Sequence, residues 1–104
     1  MKHLFTLATL AVLASGCTVI ELNEAGQSVQ VRDEANVRDC ERLHRMEVSV
    51  SDRVGPVIRK EERVERELLD HARNKAAEIG GDTIVPVSEP EDGEQHFGVY
   101  RCGR

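Results

Sequence analysis

The chain has 104 residues, with 14 Lys and Arg against 19 Asp and Glu and only Phe5, Phe97 and Tyr100 for aromatic bulk. That length holds one small domain and leaves no room for a second core, and the acidic balance excludes nucleic acid as a partner, because phosphate binding needs a cationic face. The core must come from Val, Ile, Leu and Ala, at a size where folding is marginal and a covalent staple is useful.

In chain order, Lys2 opens a short positive region and residues 4–13 form an apolar run of signal-peptide length. Ala14, Ser15 and Gly16 then place three small side chains before Cys17, which resembles the lipobox of bacterial lipoproteins. The resemblance implies that the Cys17 thiol receives a diacylglyceryl group, that a lipoprotein signal peptidase cuts after Gly16, and that the new amine is acylated. Small residues let the extended backbone enter a tight protease site. The alternative is an uncleaved anchor, since the stretch 3–20 lacks charge and approaches the ~20 residues that span a bilayer. Gly16, Cys17 and Thr18 dilute that stretch where a signal peptide would end. Thr18 rather than Asp after the cysteine implies, by similarity to enteric sorting, the periplasmic face of the outer membrane. Removing the leader at 1–16 leaves 88 residues carrying 13 basic and 19 acidic side chains, a net −6, which suits a self-repelling surface.

Residues 17–39 mix short apolar pairs with charge and read as a lipidated N-terminus continuing into a hairpin or extended arm, with 23–26 as its turn. A compact domain follows over 40–104. Cys40, His44, Met46, Val48 and Val50 share one parity and Arg45, Glu47, Ser49 and Ser51 the other, the alternation of a half-buried strand. Residues 52–56 close it with turn chemistry. Over 59–79, Val64, Leu68, Ala72, Ala76 and Ile79 recur at three- and four-residue steps and predict an amphipathic helix, stopped by Gly80-Gly81. Its charges fall into i,i+4 pairs, Glu62 with Arg66, Arg63 with Glu67 and Arg66 with Asp70, as expected of a solvated face rather than of catalytic carboxylates. Residues 83–87 form a short apolar strand whose Pro86 suggests an edge or bulge. Residues 90–93 turn the chain, and 96–102 return as a last strand with apolar residues on both parities, so that its inner face is undecided. The expected fold is α+β, a small sheet of three to five strands with one amphipathic helix packed on it.

With Cys17 used by lipid, Cys40 and Cys102 remain, and an oxidising compartment permits one pairing. A metal site drawing on His44 and His96 is the alternative. On strands, residues four apart lie ~13 Å apart and residues six apart ~20 Å, too far to share one ion. A disulfide between Cys40 and Cys102 is therefore expected, stapling the domain.

The series Cys17-Thr18, Leu22, Gly26, Val29, Val31, Cys40, Val48-Ser49-Val50, Leu68, Ala72-Arg73-Asn74, Ala76-Ala77, Gly80, Asp82-Thr83-Ile84-Val85-Pro86 and Val99-Tyr100-Arg101-Cys102 resembles a bacterial lipoprotein family known as domain of unknown function 4156. More distantly, a helix leading through glycine to an apolar strand, with disulfide cysteines around it, is similar to the periplasmic domain of the Rcs envelope-stress sensor lipoprotein. That protein is tethered to the outer membrane and relays damage to inner-membrane partners. This chain has two spare cysteines where the sensor has four, and no long proline-rich linker after the lipid.

No nucleophile elbow, phosphate loop or zinc helix is recognisable. The leading expectation is a non-enzymatic domain without cofactor, held to the membrane through Cys17 and acting on an envelope protein. Arg73, Asn74, Tyr100 and Arg101 are the candidate binding surface, against the plainer expectation that they cap or solvate. The second expectation is a small metal-binding module or enzyme using His44, His71 and His96, which requires those three imidazoles to converge.

Overall fold

The computed structural model describes residues 20–103, so the leader at 1–16 and Cys17 lie outside the described residues. The organising element is a helix at Glu61–Glu78 (α2; a single short turn, α1, precedes it at Glu24–Gln27). Glu61 and Glu62 sit at its positive end and Lys75 in its last turn, complementing the helix dipole. It stops at Ile79 because Gly80, at φ 84, takes the left-handed conformation that side-chain-bearing residues resist. The Gly81 amide then donates to the Ala76 carbonyl (2.8 Å) and the Gly80 amide to that of Ala77 (3.2 Å), which satisfies the orphan carbonyls of the last turn.

The predicted stripe is the buried one. Val64, Leu68, Ala72 and Ala76 pack with Val29, Val48, Ile84, Phe97 and Val99 in one core, with Leu43, Met46 and Leu69 at its margin. Two positions differ from expectation, one in the stripe and one on the charged face. Ile79 ends the helix 47 % exposed, because the glycine turn carries it off the inner face. Glu67, expected to pair with Arg63 in solvent, is buried and bonded by Arg59 instead.

Four strands form the sheet beneath: Gln30–Val31 (β1), Glu41–Ser49 (β2), Thr83–Pro86 (β5) and Glu94–Arg101 (β6), in the order β1-β5-β6-β2. Arg53–Val54 (β3) and Val57–Ile58 (β4) make a separate two-stranded hairpin. The fold is thus the α+β arrangement expected, with a disulfide joining Cys40 to Cys102. Strand β6 turns Phe97 and Val99 to the helix and Gly98 and Tyr100 away from it. Gly98 decides this: a Cβ there would stand 3.0 Å from the Tyr100 ring, so the bare glycine frees that face for the aromatic side chain. Pro86 lies beyond the last β1 pair, Val31 with Ile84, where β5 becomes an edge and a missing N–H costs no ladder bond.

Residues 23–31, expected as part of a hairpin or extended arm turning at 23–26, form a single helical turn and then a strand that pairs with β5. The Asn23 side chain accepts from the Gly26 amide (2.7 Å) and caps α1, using the oxygen that the sequence offered equally to a turn. The chain then drops Val29 into the core and adds β1 parallel to β5. In β2 the alternation holds from Met46 to Val50, but the register with β6 shifts between Arg42 and His44. That bulge lets Leu43 reach the core; His44 keeps the inner-side register, opposite Val99, but is exposed there.

Candidate functional site

Arg73 and Asn74 stand on the side of α2 that meets the N-terminal segment. The Arg73 guanidinium donates to the Val29 carbonyl (3.0 Å) and the Gln27 carbonyl (3.1 Å). The Asn74 amide group donates to the Glu21 carbonyl (2.8 Å) and accepts from the Asn23 amide (2.9 Å). Four backbone groups between residues 21 and 29 are thus held by two adjacent side chains, separated from them by 44 to 53 residues in sequence. A helix can do this because residues 73 and 74, about 100° apart around its axis, grip the crossing segment at two points.

At the start of β5, beside the Val29–Gln30 backbone, Asp82 plays a similar part that sequence reasoning did not single out. Its carboxylate accepts from the Cys102 amide (2.8 Å), the Gly103 amide (2.8 Å) and the Thr83 hydroxyl (2.9 Å). Burial pushes the carboxyl up, but the two amides, the hydroxyl and the charge of Arg32 outweigh it and hold the group below the usual carboxylate range. The carboxylate fixes the backbone that carries Cys102 toward Cys40, whose Cα lies 4.4 Å away. Arg101 approaches the Gly80 carbonyl (3.4 Å) and pairs with Glu41 (3.3 Å), with both charged side chains about half exposed, where such a pair contributes little. Tyr100 is half-buried over Gly98. The pair Arg73 and Asn74 therefore occupies the α1 contact, and the pair Tyr100 and Arg101 the disulfide end of β6.

The three histidines do not meet. Register sets His44 opposite Val99 and His96 opposite Glu47, which puts them on opposite faces of the sheet. His96 contacts Glu47 (3.1 Å), and His71 lies on α2. Among the described residues no three His, Cys, Asp or Glu side chains are arranged to hold a metal ion. The acidic loops after β5 line a groove of about 310 Å³ with Ser88, Glu89, Glu91, Asp92, Glu94 and His96. Arg59 and Glu67 form the buried ion pair: the guanidinium reaches both carboxylate oxygens of Glu67 and donates to the Ser51 carbonyl (2.7 Å). It ties the loop after β2 to the first half of α2. The sequence clue was Arg59 eight residues before Glu67, a spacing outside the helical pairs because Arg59 precedes the helix.

Residues 20–102 match a family profile described as Domain of unknown function (DUF4156). The chain is 31% identical over 113 aligned residues to the uncharacterized protein YjeI of Escherichia coli strain K12, covering 98% of this chain and 97% of that protein. The YjeI proteins of Escherichia coli O6:H1 and Shigella flexneri match to the same extent. No solved structure matches significantly.

Proposed function

The chain belongs to the DUF4156 family, and on that footing we propose that it is a lipid-anchored protein of the bacterial envelope, held at the periplasmic face of the outer membrane, that works by contact rather than by catalysis. The carrying observation is the double clamp of Arg73 and Asn74, which fastens the backbone from Glu21 to Val29 onto α2. Cys17 is only three residues before Ile20, a reach of at most about 10 Å. A domain moored so closely meets only what lies near its own membrane. The absence of a spacer separates it from the Rcs sensor, whose long linker suits relay across the periplasm; the role proposed here is envelope integrity or stress response at short range.

The use of the polar side chains supports a contact role. Arg73, Asn74 and Asp82 are spent on holding backbone, and a side chain committed to structural hydrogen bonds is not available to bind or transform a substrate. No observation favours the metal-binding alternative through His44, His71 and His96. Radioactive palmitate fed to cells tests the anchor: incorporation that vanishes in Cys17→Ala, with redistribution of the protein out of the outer-membrane fraction, is expected. Absence of label, or unchanged fractionation of that variant, refutes it. Photo-crosslinking from exposed positions of α2 in whole cells then tests for an envelope partner, and its reproducible failure to capture one would remove the contact role.

A further inference from the structure

Among the described residues the large apolar side chains most exposed to solvent are Val54 (66 %), Val57 (62 %) and Ile58 (68 %), all on the β3–β4 hairpin. Between Arg53 and Arg59 the sequence Val-Gly-Pro-Val-Ile carries no charge or hydrogen-bonding side chain. The hairpin is nonetheless well built. Val54 pairs with Val57 across a two-residue turn in which Gly55, at φ 61, supplies the mirror-image geometry such turns need. Its base is fixed where the Arg59 amide donates to the Asp52 carbonyl (2.9 Å) and the Arg59 side chain holds both Glu67 and Ser51. An apolar tip on a fastened base, in an otherwise acidic surface, contributes nothing to folding and has the character of a contact surface.

Its position names the occupant. Ile20, the first described residue, lines one surface depression with Ser49, Val50 and Ser51, the residues that lead into β3. The chain toward Cys17 therefore departs beside the base of the hairpin. Cys17 lies at most about 10 Å from Ile20, and the tip extends about 13 Å beyond Ser51, so acyl chains on Cys17 and the tip reach the same plane. We infer that the β3–β4 hairpin dips into the boundary between headgroups and acyl chains beside the lipidated cysteine, with a phospholipid surface as its partner. The inference rests on the anchoring reading above. Arg53 and Lys60 flank the apolar run, both exposed, and their stems reach toward lipid phosphates as long cationic side chains do at membrane interfaces. Two membrane contacts fix an orientation: the disulfide end, about 30 Å away along the nine residues of β2, points into the periplasm.

The chain has no tryptophan, so single probes can be introduced as Val57→Trp at the tip and Ala35→Trp in the exposed 3-10 turn Glu34–Asn36 near the disulfide. The full-length lipidated protein is reconstituted into phosphatidylethanolamine and phosphatidylglycerol vesicles containing a phospholipid brominated near the headgroup end of its acyl chains. Quenching by about half or more is expected for Val57→Trp, and under about a tenth for Ala35→Trp, given the 5–10 Å depth of interfacial insertion. Equal or negligible quenching of both, in protein that carries palmitate, overturns the hairpin contact and leaves the anchor standing. Missing palmitate with persistent quenching of Val57→Trp overturns the anchor and upholds the hairpin contact. Loss of both overturns both. A photo-crosslinker at position 57 in whole cells is expected to label phospholipid; capture of a discrete protein there instead overturns the proposal.

Discussion

Replacing Cys40 and Cys102 together by serine removes a link between residues 62 apart in sequence. On the chain-entropy account, freeing a loop of that length raises the entropy of the unfolded chain by about 14 cal/mol/K, or about 4 kcal/mol at 25 °C. A domain of this size holds only about 4–13 kcal/mol in total, so the loss takes from a third to nearly all of it. Asp82 still holds the Cys102 amide in the native state, and the change falls mainly on the unfolded ensemble. Urea titration followed by far-ultraviolet circular dichroism is the assay, comparing the oxidised protein with the double variant. With a slope of about 1 kcal/mol/M for a small domain, the midpoint should fall by about 3–4 M, and the slope should rise as the unlinked chain exposes more surface. A midpoint shift under about 1 M, with unchanged slope, would refute the loop-closure reasoning.

Leu68 has 0% exposure in the middle of the core, and Leu68→Ala should cost about 2–5 kcal/mol, readable in the same titration. Asn74→Ala strands the Glu21 carbonyl and the Asn23 amide; we expect a loss of about 1–2 kcal/mol, with faster hydrogen exchange confined to residues 21–27, and unchanged exchange there would exclude the clamp. The depressed Asp82 carboxyl stabilises the native state fully above the unfolded-state pKa of about 4, and that contribution is lost as pH falls through the lower native value. Asp82→Asn should therefore lower the melting temperature at neutral pH and make its decline below about pH 4 shallower; a decline parallel to that of the parent would show that the carboxylate is not linked to folding.

Helix α2 could be read from sequence because its evidence is local: a 3.6-residue period in apolar side chains and a glycine pair at the end. The Cys40–Cys102 pairing was legible by counting, once Cys17 was set aside for lipid. The roles of Arg73 and Asn74 were not. Their position on the helix was plain, but their partners lie 44 or more residues away, and no local pattern records a contact across that separation. Asp82 was hidden among turn residues for the same reason, and the one-residue bulge before His44, which brings Leu43 to the core, leaves no mark in the alternation of the sequence.

Composition, periodicity and turn chemistry by themselves determined a single α+β domain, its helix, its closing hairpin and its staple, because these follow from which side chains avoid water and which backbones glycine and proline allow. Only the tertiary structure decided that β1 runs parallel to β5, that Phe97 rather than Tyr100 faces the helix, that Glu67 leaves solvent for Arg59, and that an apolar hairpin stands beside the exit of the N-terminal chain. Each of these depends on groups distant in sequence competing for one place in the fold, and that competition is resolved by packing rather than by local preference.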